Sequence, residues 1–130
     1  MTTFKINGKD YDLHFGAAFS QALSKEFKMT RDVQGAKMDF GLGVRMAVPY
    51  LEMGDVDAIF KVLKHSLWKY KVKPTDNELY EAIEEVALET GGFDDVADIL
   101  LEGLRDSGFY NKLFEETEQE KEKAKKAQEK

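Results

Sequence analysis

The two histidines are the side chains of this sequence best suited to acid–base or metal chemistry near neutral pH, and they are isolated from each other. Neither His14 nor His65 stands at a metal-ligand spacing from a second histidine or from a cysteine, which the chain lacks. Ser66 follows His65 directly, but neighbours on a helix point about 100° apart and cannot pair as nucleophile and base. We therefore predict no catalytic residue and no metal site.

Paired carboxylates and a glycine-rich segment are the other candidates for chemistry. Glu84-Glu85 and Asp94-Asp95 have the composition of acid–base pairs, but Asp94-Asp95 stands where a helix start would favour negative charge. Gly41-Leu42-Gly43 begins a dinucleotide-binding pattern, yet Met46 replaces its third glycine. These patterns indicate helix starts and solvated surface, so we expect no cofactor and no enzymatic activity.

The composition is that of one folded, acidic domain. The chain has 130 residues, 42% of them hydrophobic, and a formal net charge of −6 from 25 acidic and 19 basic side chains. Such a balance argues against nucleic acid as a partner, because phosphate binders concentrate Lys and Arg. The absence of cysteine and of long apolar stretches favours a cytosolic protein that does not span a membrane.

The first fifteen residues predict a β-hairpin. Phe4 and Ile6 alternate with polar residues before Asn7-Gly8, and Tyr11, Leu13 and Phe15 alternate after it. Asn-Gly is favoured in type I′ turns because both of its residues tolerate a positive φ. Since an isolated hairpin is marginally stable in water, it must pack on a helix or join the edge of another subunit.

The rest of the chain changes to helical periodicity. Apolar residues recur at spacings of three and four in five segments, at about 17–28, 42–53, 56–70, 76–90 and 94–107. Asp55 and the capping box Thr75–Glu78 predict two helix starts, and Gly54 predicts one helix end. Pro49 should bend or divide its helix. Residues 29–40 show little periodicity and are predicted to be an irregular connection.

The fold expected from these segments is mainly α: an N-terminal β-hairpin followed by about five helices in one domain, with a charged C-terminal tail. Residues 1–114 form the domain, with the hairpin in 1–15 and the helical body in 17–114. Residues 115–130 contain six Glu and five Lys and almost no apolar side chain, so they should form a solvated helix or a disordered tail.

All four internal methionines lie within 25 residues, at positions 29, 38, 46 and 53. Flexible thioether side chains suit a surface that accepts varied apolar partners, and they also fill irregular gaps beneath a kinked helix. Both interpretations remain open. The candidate partner-binding residues are Met38, Phe40, Leu42, Met46, Tyr50 and Met53.

The order of these features resembles that of a known family. Phe4-Lys5-Ile6-Asn7-Gly8-Lys9, then Tyr11, Leu13 and Phe15-Gly16, precede an acidic helical body and a Glu/Lys tail. This layout, from about residue 3 to residue 114, is similar to that of the tail assembly chaperones of long-tailed phages infecting Gram-positive bacteria.

The resemblance implies a function through protein partners. Family members coat the tape measure protein and keep it soluble in the host cytoplasm, and they are absent from the finished virion. Many also have a longer, frameshifted product that recruits tail tube protein, and this chain looks like the shorter one. Self-association along the client is expected as well. The alternative function is that of an acidic inhibitor or adaptor protein that occupies a basic surface of a host protein.

Overall fold

The computed structural model describes the backbone of residues 2–33, 36–41 and 43–128, and the side chains of residues 2–27, 43–116, 118–119 and 122–123. Within that part of the chain there are two antiparallel hairpins and six helices. The elements in chain order are β1 (Thr3–Ile6), β2 (Lys9–Asp12), α1 (Ala17–Glu26), β3 (Lys28–Val33), β4 (Ala36–Gly41), α2 (Val44–Glu52), α3 (Val56–Ser66), α4 (Asp76–Thr90), α5 (Phe93–Asp106) and α6 (Asn111–Gln128). The predicted fold class is confirmed.

The N-terminal hairpin forms as the sequence predicts. Phe4 lies opposite Tyr11 in the β1–β2 register, and Asn7 and Gly8 have φ values of 51° and 78°, as the type I′ turn requires. Phe4 and Ile6 are almost fully buried, and β1 packs against α4. The hairpin is therefore stabilised by the helical body of its own chain.

The prediction that residues 29–40 form an irregular connection is wrong, because β3 and β4 make a second hairpin there. Its register places Met29 opposite Phe40 and Val33 opposite Ala36. Alternate residues of a strand fall on opposite faces, so these four positions share one face of the ribbon. A period of two is present in the sequence, but Arg31 interrupts its apolar set between Met29 and Val33. The intervening Gln34 and Gly35 lie outside the described residues.

The predicted helix ends are confirmed at three places. The Asp55 carboxylate accepts a hydrogen bond from the Ala58 N–H at 3.0 Å. The Thr75 hydroxyl accepts from the Glu78 N–H at 3.2 Å, and the Glu78 carboxylate accepts from the Thr75 N–H at 3.1 Å. Gly54 follows α2 with φ 72°, and its N–H donates to the Leu51 carbonyl. Pro49 lies inside α2 without dividing that helix.

Helix α3 is the centre of the body, since it packs against α1, α2, α4 and α5. It ends at Ser66, earlier than the periodicity predicted, and Tyr70 lies beyond it. There the Tyr70 hydroxyl accepts a hydrogen bond from the Asp12 N–H at 2.8 Å. The largest fully buried side chains come from the hairpin and from α1 to α5: Ile6, Phe19, Leu23, Val48, Leu51, Ile59, Leu63, Leu67, Leu79, Ile83, Leu100 and Leu104.

Helix α6 joins the body through its first turns. The Tyr110 hydroxyl, just before it, donates a hydrogen bond to the Phe15 carbonyl at 2.7 Å. Phe114 is buried, and Glu116 forms an ion pair of 2.9 Å with Arg45 of α2. The helix then continues to Gln128 across the predicted boundary at residue 114. Among the described helices, none has the length and apolar character needed to cross a bilayer.

Candidate partner-binding surface

The polar groups that drew attention as possible catalysts are separated in the structure. The Ser66 hydroxyl is buried and donates to the Leu63 carbonyl at 2.6 Å, while His65 faces Glu26, with 3.7 Å between ring nitrogen and carboxylate. The His14 ring lies against Trp68, at 6.4 Å between ring centres. In the described part of the chain, no three His, Asp or Glu side chains are grouped so that they could hold a metal ion.

A cleft of about 610 Å³ lies between α1, α2 and the start of α6. Its polar lining includes Ser20, Ser24, Arg45 and Lys112, with neither a histidine nor a carboxylate among the lining side chains. A serine needs an adjacent base to become a nucleophile. This cleft therefore has the composition of a polar surface recess.

Helix α2 carries apolar residues on two opposite faces. Val44, Ala47, Val48 and Leu51 are buried in the core. A second set at spacings of i, i+3, i+4 and i+7 lies on the other side of α2, and we call it the outer stripe: Met46, Pro49, Tyr50 and Met53. Met46 still packs against the edge of the core, whereas the other three are exposed. A helix with only one face in the core ordinarily has polar residues on the other. The second apolar face of α2 is therefore a candidate binding surface.

Exposure increases along the outer stripe towards the end of α2. Met46 is half-buried, whereas Tyr50 is 41% exposed and Met53 is 68% exposed. The Tyr50 ring lies 6.1 Å from the ring of Phe27, which follows α1 and is itself mostly buried. The stripe thus continues towards the end of α1, immediately before the chain enters the second hairpin.

Basic and acidic groups border the Phe27 end of the stripe. The Lys61 ammonium of α3 lies 5.3 Å from the centre of the Phe27 ring and forms an ion pair of 2.8 Å with Asp57. That hydrogen-bonded pair raises the pKa of Lys61 despite some burial. Lys61 therefore remains a cation at the edge of this surface at any physiological pH.

The opposite edge is acidic. Exposed Glu52 of α2 and exposed Asp94, Asp98 and Glu102 of α5 form what we call the acidic rim. Glu52, Asp98 and Glu102 line one depression of about 420 Å³ together with Arg105 and Phe114. Asp94 lies against Gly54, directly after the stripe: a Cβ on that glycine would be 3.5 Å from the Asp94 Cα. The packing of α2 on α5 brings these carboxylates beside the stripe.

The six residues predicted from sequence to bind a partner divide between two segments. Met46, Tyr50 and Met53 share the outer stripe. Met38 and Phe40 belong to β4, but their side chains lie outside the described residues, and so does Leu42 as a whole. Their participation in one surface with α2 stays a prediction.

Two parts of this surface were missed by sequence reasoning. Pro49 was considered only as a helix breaker, although its i+3 spacing from Met46 was visible. The acidic rim was detectable in part, since residues 76–106 contain eleven Asp and Glu side chains and one Arg. Its position beside the stripe depends on the α2–α5 packing, which local periodicity does not encode.

The fold is mainly helical, and one helix presents a second apolar face that is a candidate for protein binding. A family model described as phage tail assembly chaperone protein, TAC, matches residues 3–119. The chain therefore belongs to the phage tail assembly chaperone family. No curated protein and no solved structure matches it.

Proposed function

We propose that this protein binds the tape measure protein of its phage and keeps it soluble until tail tube subunits assemble around it. The outer stripe on α2 is the observation that supports this proposal. Long, apolar helical clients expose i, i+3, i+4 stripes, and a second apolar stripe provides a matching face. The activity is non-catalytic and takes place in the host cytoplasm, and the protein does not enter the mature virion.

The binding surface in this proposal is the methionine-rich segment as a whole. It comprises the apolar face of the second hairpin together with α2: Met38, Phe40, Leu42, Met46, Tyr50 and Met53. The register of β3 and β4 supports it, because Met29, Met38 and Phe40 fall on one face of that hairpin, although Arg31 lies on this face as well. A two-stranded ribbon gains stability when such a face is covered.

The proposed assembly involves further copies and a second partner. Several copies of the domain, residues 1–114, associate along one client, and a longer frameshifted product recruits the tail tube protein. Family membership supports the existence of partners among the phage tail proteins.

Co-expression with the tape measure protein of the same phage tests the proposal. We expect the wild-type chain to move that client into the soluble fraction. The double variant Tyr50→Gln/Met53→Gln should lose this effect. Each apolar side chain that the client buries contributes about 1.5–3 kcal/mol to the free energy of binding, so the loss of both should weaken affinity more than tenfold.

Helix α4 and the segment before it offer a matched control. Leu88 and Val72 are 87% and 86% exposed and lie outside the proposed surface. The double variant Leu88→Gln/Val72→Gln should keep full activity. An insoluble client in the presence of wild-type protein would contradict the proposal, as would equal activity of the two double variants.

A second candidate function is that of an acidic inhibitor or adaptor protein for a basic host surface. The concentration of charge favours it: residues 76–106 carry a net charge of −10, while the whole chain carries −6. Under that function, binding would depend on the carboxylates of α4 and α5 and would survive substitution of Tyr50 and Met53. The same variants therefore discriminate between the two functions.

A further inference from the structure

The charge of this protein is divided unevenly between its helices. Residues 76–106, which include α4 and α5, carry −10, and the rest of the chain carries +4. Helix α4 packs against α3, α5 and β1. Helix α5 packs against α2. Glu52 and Asp94 therefore place carboxylates at the α5 edge of the outer stripe, near its Met53 end.

The two edges of the stripe differ in the charges that they carry. At the Phe27 edge, the Lys61 ammonium lies 2.8 Å from Asp57 and 3.9 Å from Glu26. At the α5 edge, the Arg105 guanidinium is the basic group in the depression that Glu52, Asp98 and Glu102 line, and it lies 5.0 Å from the centre of the Phe114 ring. The acidic rim is thus a region of net negative charge at the border of an apolar face.

We propose that the surface selects helical protein segments whose apolar stripe is flanked by Lys or Arg on one side. Apolar contacts with Met46, Tyr50 and Met53 supply most of the affinity, and the acidic rim determines which segment binds and in which orientation. Charges at the border of an interface act in this way, because like charges suppress wrong partners while opposite charges fix the register. This inference rests on the proposed function and adds to it the charge of the bound segment.

Synthetic helices test the inference with the full-length chain. Three dye-labelled peptides of about 20 residues share one leucine stripe, and each has Lys, Gln or Glu along one flank. We expect affinity, measured by fluorescence anisotropy, to fall in the order Lys, Gln, Glu. Raising the ionic strength from about 0.01 to 0.1 M shortens the Debye length from about 30 to 10 Å, so the difference between the peptides should shrink.

Two pairs of substitutions separate the rim from the net charge of the protein. Asp98→Asn/Glu102→Gln removes two exposed rim charges spaced i, i+4 on α5, and Glu81→Gln/Glu85→Gln removes two exposed charges at the same spacing on α4. The rim variant should bind the Lys-flanked peptide about three- to tenfold more weakly and the Gln-flanked peptide as wild type does. The α4 variant should bind both as wild type does.

The outcomes distinguish the inference from the proposed function. Equal binding of the Lys- and Gln-flanked peptides by the wild-type chain overturns the charge selection and leaves the chaperone function intact. The charge selection is also overturned if the rim variant and the α4 variant bind the Lys-flanked peptide equally weakly. The peptide would then be attracted by the overall charge of the protein and not by the acidic rim. If none of the three peptides binds, the charge selection is overturned, and the co-expression assay alone decides the chaperone function. Matching circular dichroism spectra and melting midpoints show that each variant is folded.

Discussion

At His65, burial and neighbouring charges act in opposite directions. Burial favours the neutral imidazole, and so do the positive charges of Lys64 and Lys61. The Glu26 carboxylate, 3.7 Å away, favours the protonated imidazole instead. Burial is the larger effect, so the pKa of His65 lies below its ordinary value of 6.5. The unfolded chain therefore binds a proton at this site more readily than the folded one, and acid weakens the fold here.

The substitution His65→Gln should reduce the pH dependence of stability. The contribution of the neutral imidazole is complete above about pH 6.5 and declines as the pH falls towards the lower pKa of the folded state. We expect the free energy of unfolding, measured with urea, to decrease more in wild type than in the variant over this window. His14→Gln is the control for the loss of an imidazole. Parallel curves for wild type and His65→Gln would refute this account.

At the scale of the elements, the connection between α2 and α3 depends on Gly54. Its φ of 72° is strained for any residue with a side chain, and a Cβ there would collide with the Asp94 carboxylate. Gly108, before α6, has a similar φ of 81°, but a Cβ added to it would meet no described atom within 4 Å, so only the backbone cost applies there.

These two glycines predict different costs for the same change. Gly108→Ala should destabilise the protein by about 1–2 kcal/mol, which is the cost of the left-handed conformation. Gly54→Ala should cost more, since the Asp94 carboxylate must also turn away from the added methyl group. Urea unfolding of both variants measures the difference. Equal losses of stability would show that the Asp94 side chain turns away without cost.

The sequence predicted the elements whose signals are local. Asn7-Gly8, Asp55 and the Thr75–Glu78 box each determine a turn or a helix start through neighbouring atoms, and all three were confirmed. The second hairpin was not predicted because its pairing joins residues as far apart in sequence as Met29 and Phe40. In addition, Arg31 interrupts the alternation of apolar and polar residues in β3. Met46, Tyr50 and Met53 of the outer stripe were among the residues singled out from the sequence. The acidic rim was not, because it arises from packing between distant helices.

At the scale of the whole molecule, the fold should depend on α6 only as far as its second turn. Phe114 is the last buried apolar side chain in the described part of the chain, and Glu116 pairs with Arg45. Residues 117–130 contain two alanines and no larger apolar residue. They contribute helix-forming side chains but nothing that can enter the core.

Ending the chain after Glu116 should therefore leave the free energy of unfolding within about 0.5 kcal/mol of wild type. Phe114→Ala should lower it by about 3–5 kcal/mol, since it opens a cavity beside Arg105. Thermal and urea unfolding measure both changes. A large loss on truncation would mean that the terminal segment belongs to the folded domain and that the boundary at residue 114 is misplaced.

The hydrogen bond from Tyr110 to the Phe15 carbonyl joins residues 95 positions apart, and it has a consequence for synthesis. A ribosome adds about 5–20 residues per second, so Tyr110 is synthesised about 5–20 s after Phe15. The hydrogen bond to the Phe15 carbonyl cannot form before then. The helix that covers β1 also emerges late. During translation the first hairpin therefore emerges well before the helix that covers it, and its apolar side chains are open to cellular chaperones in that interval.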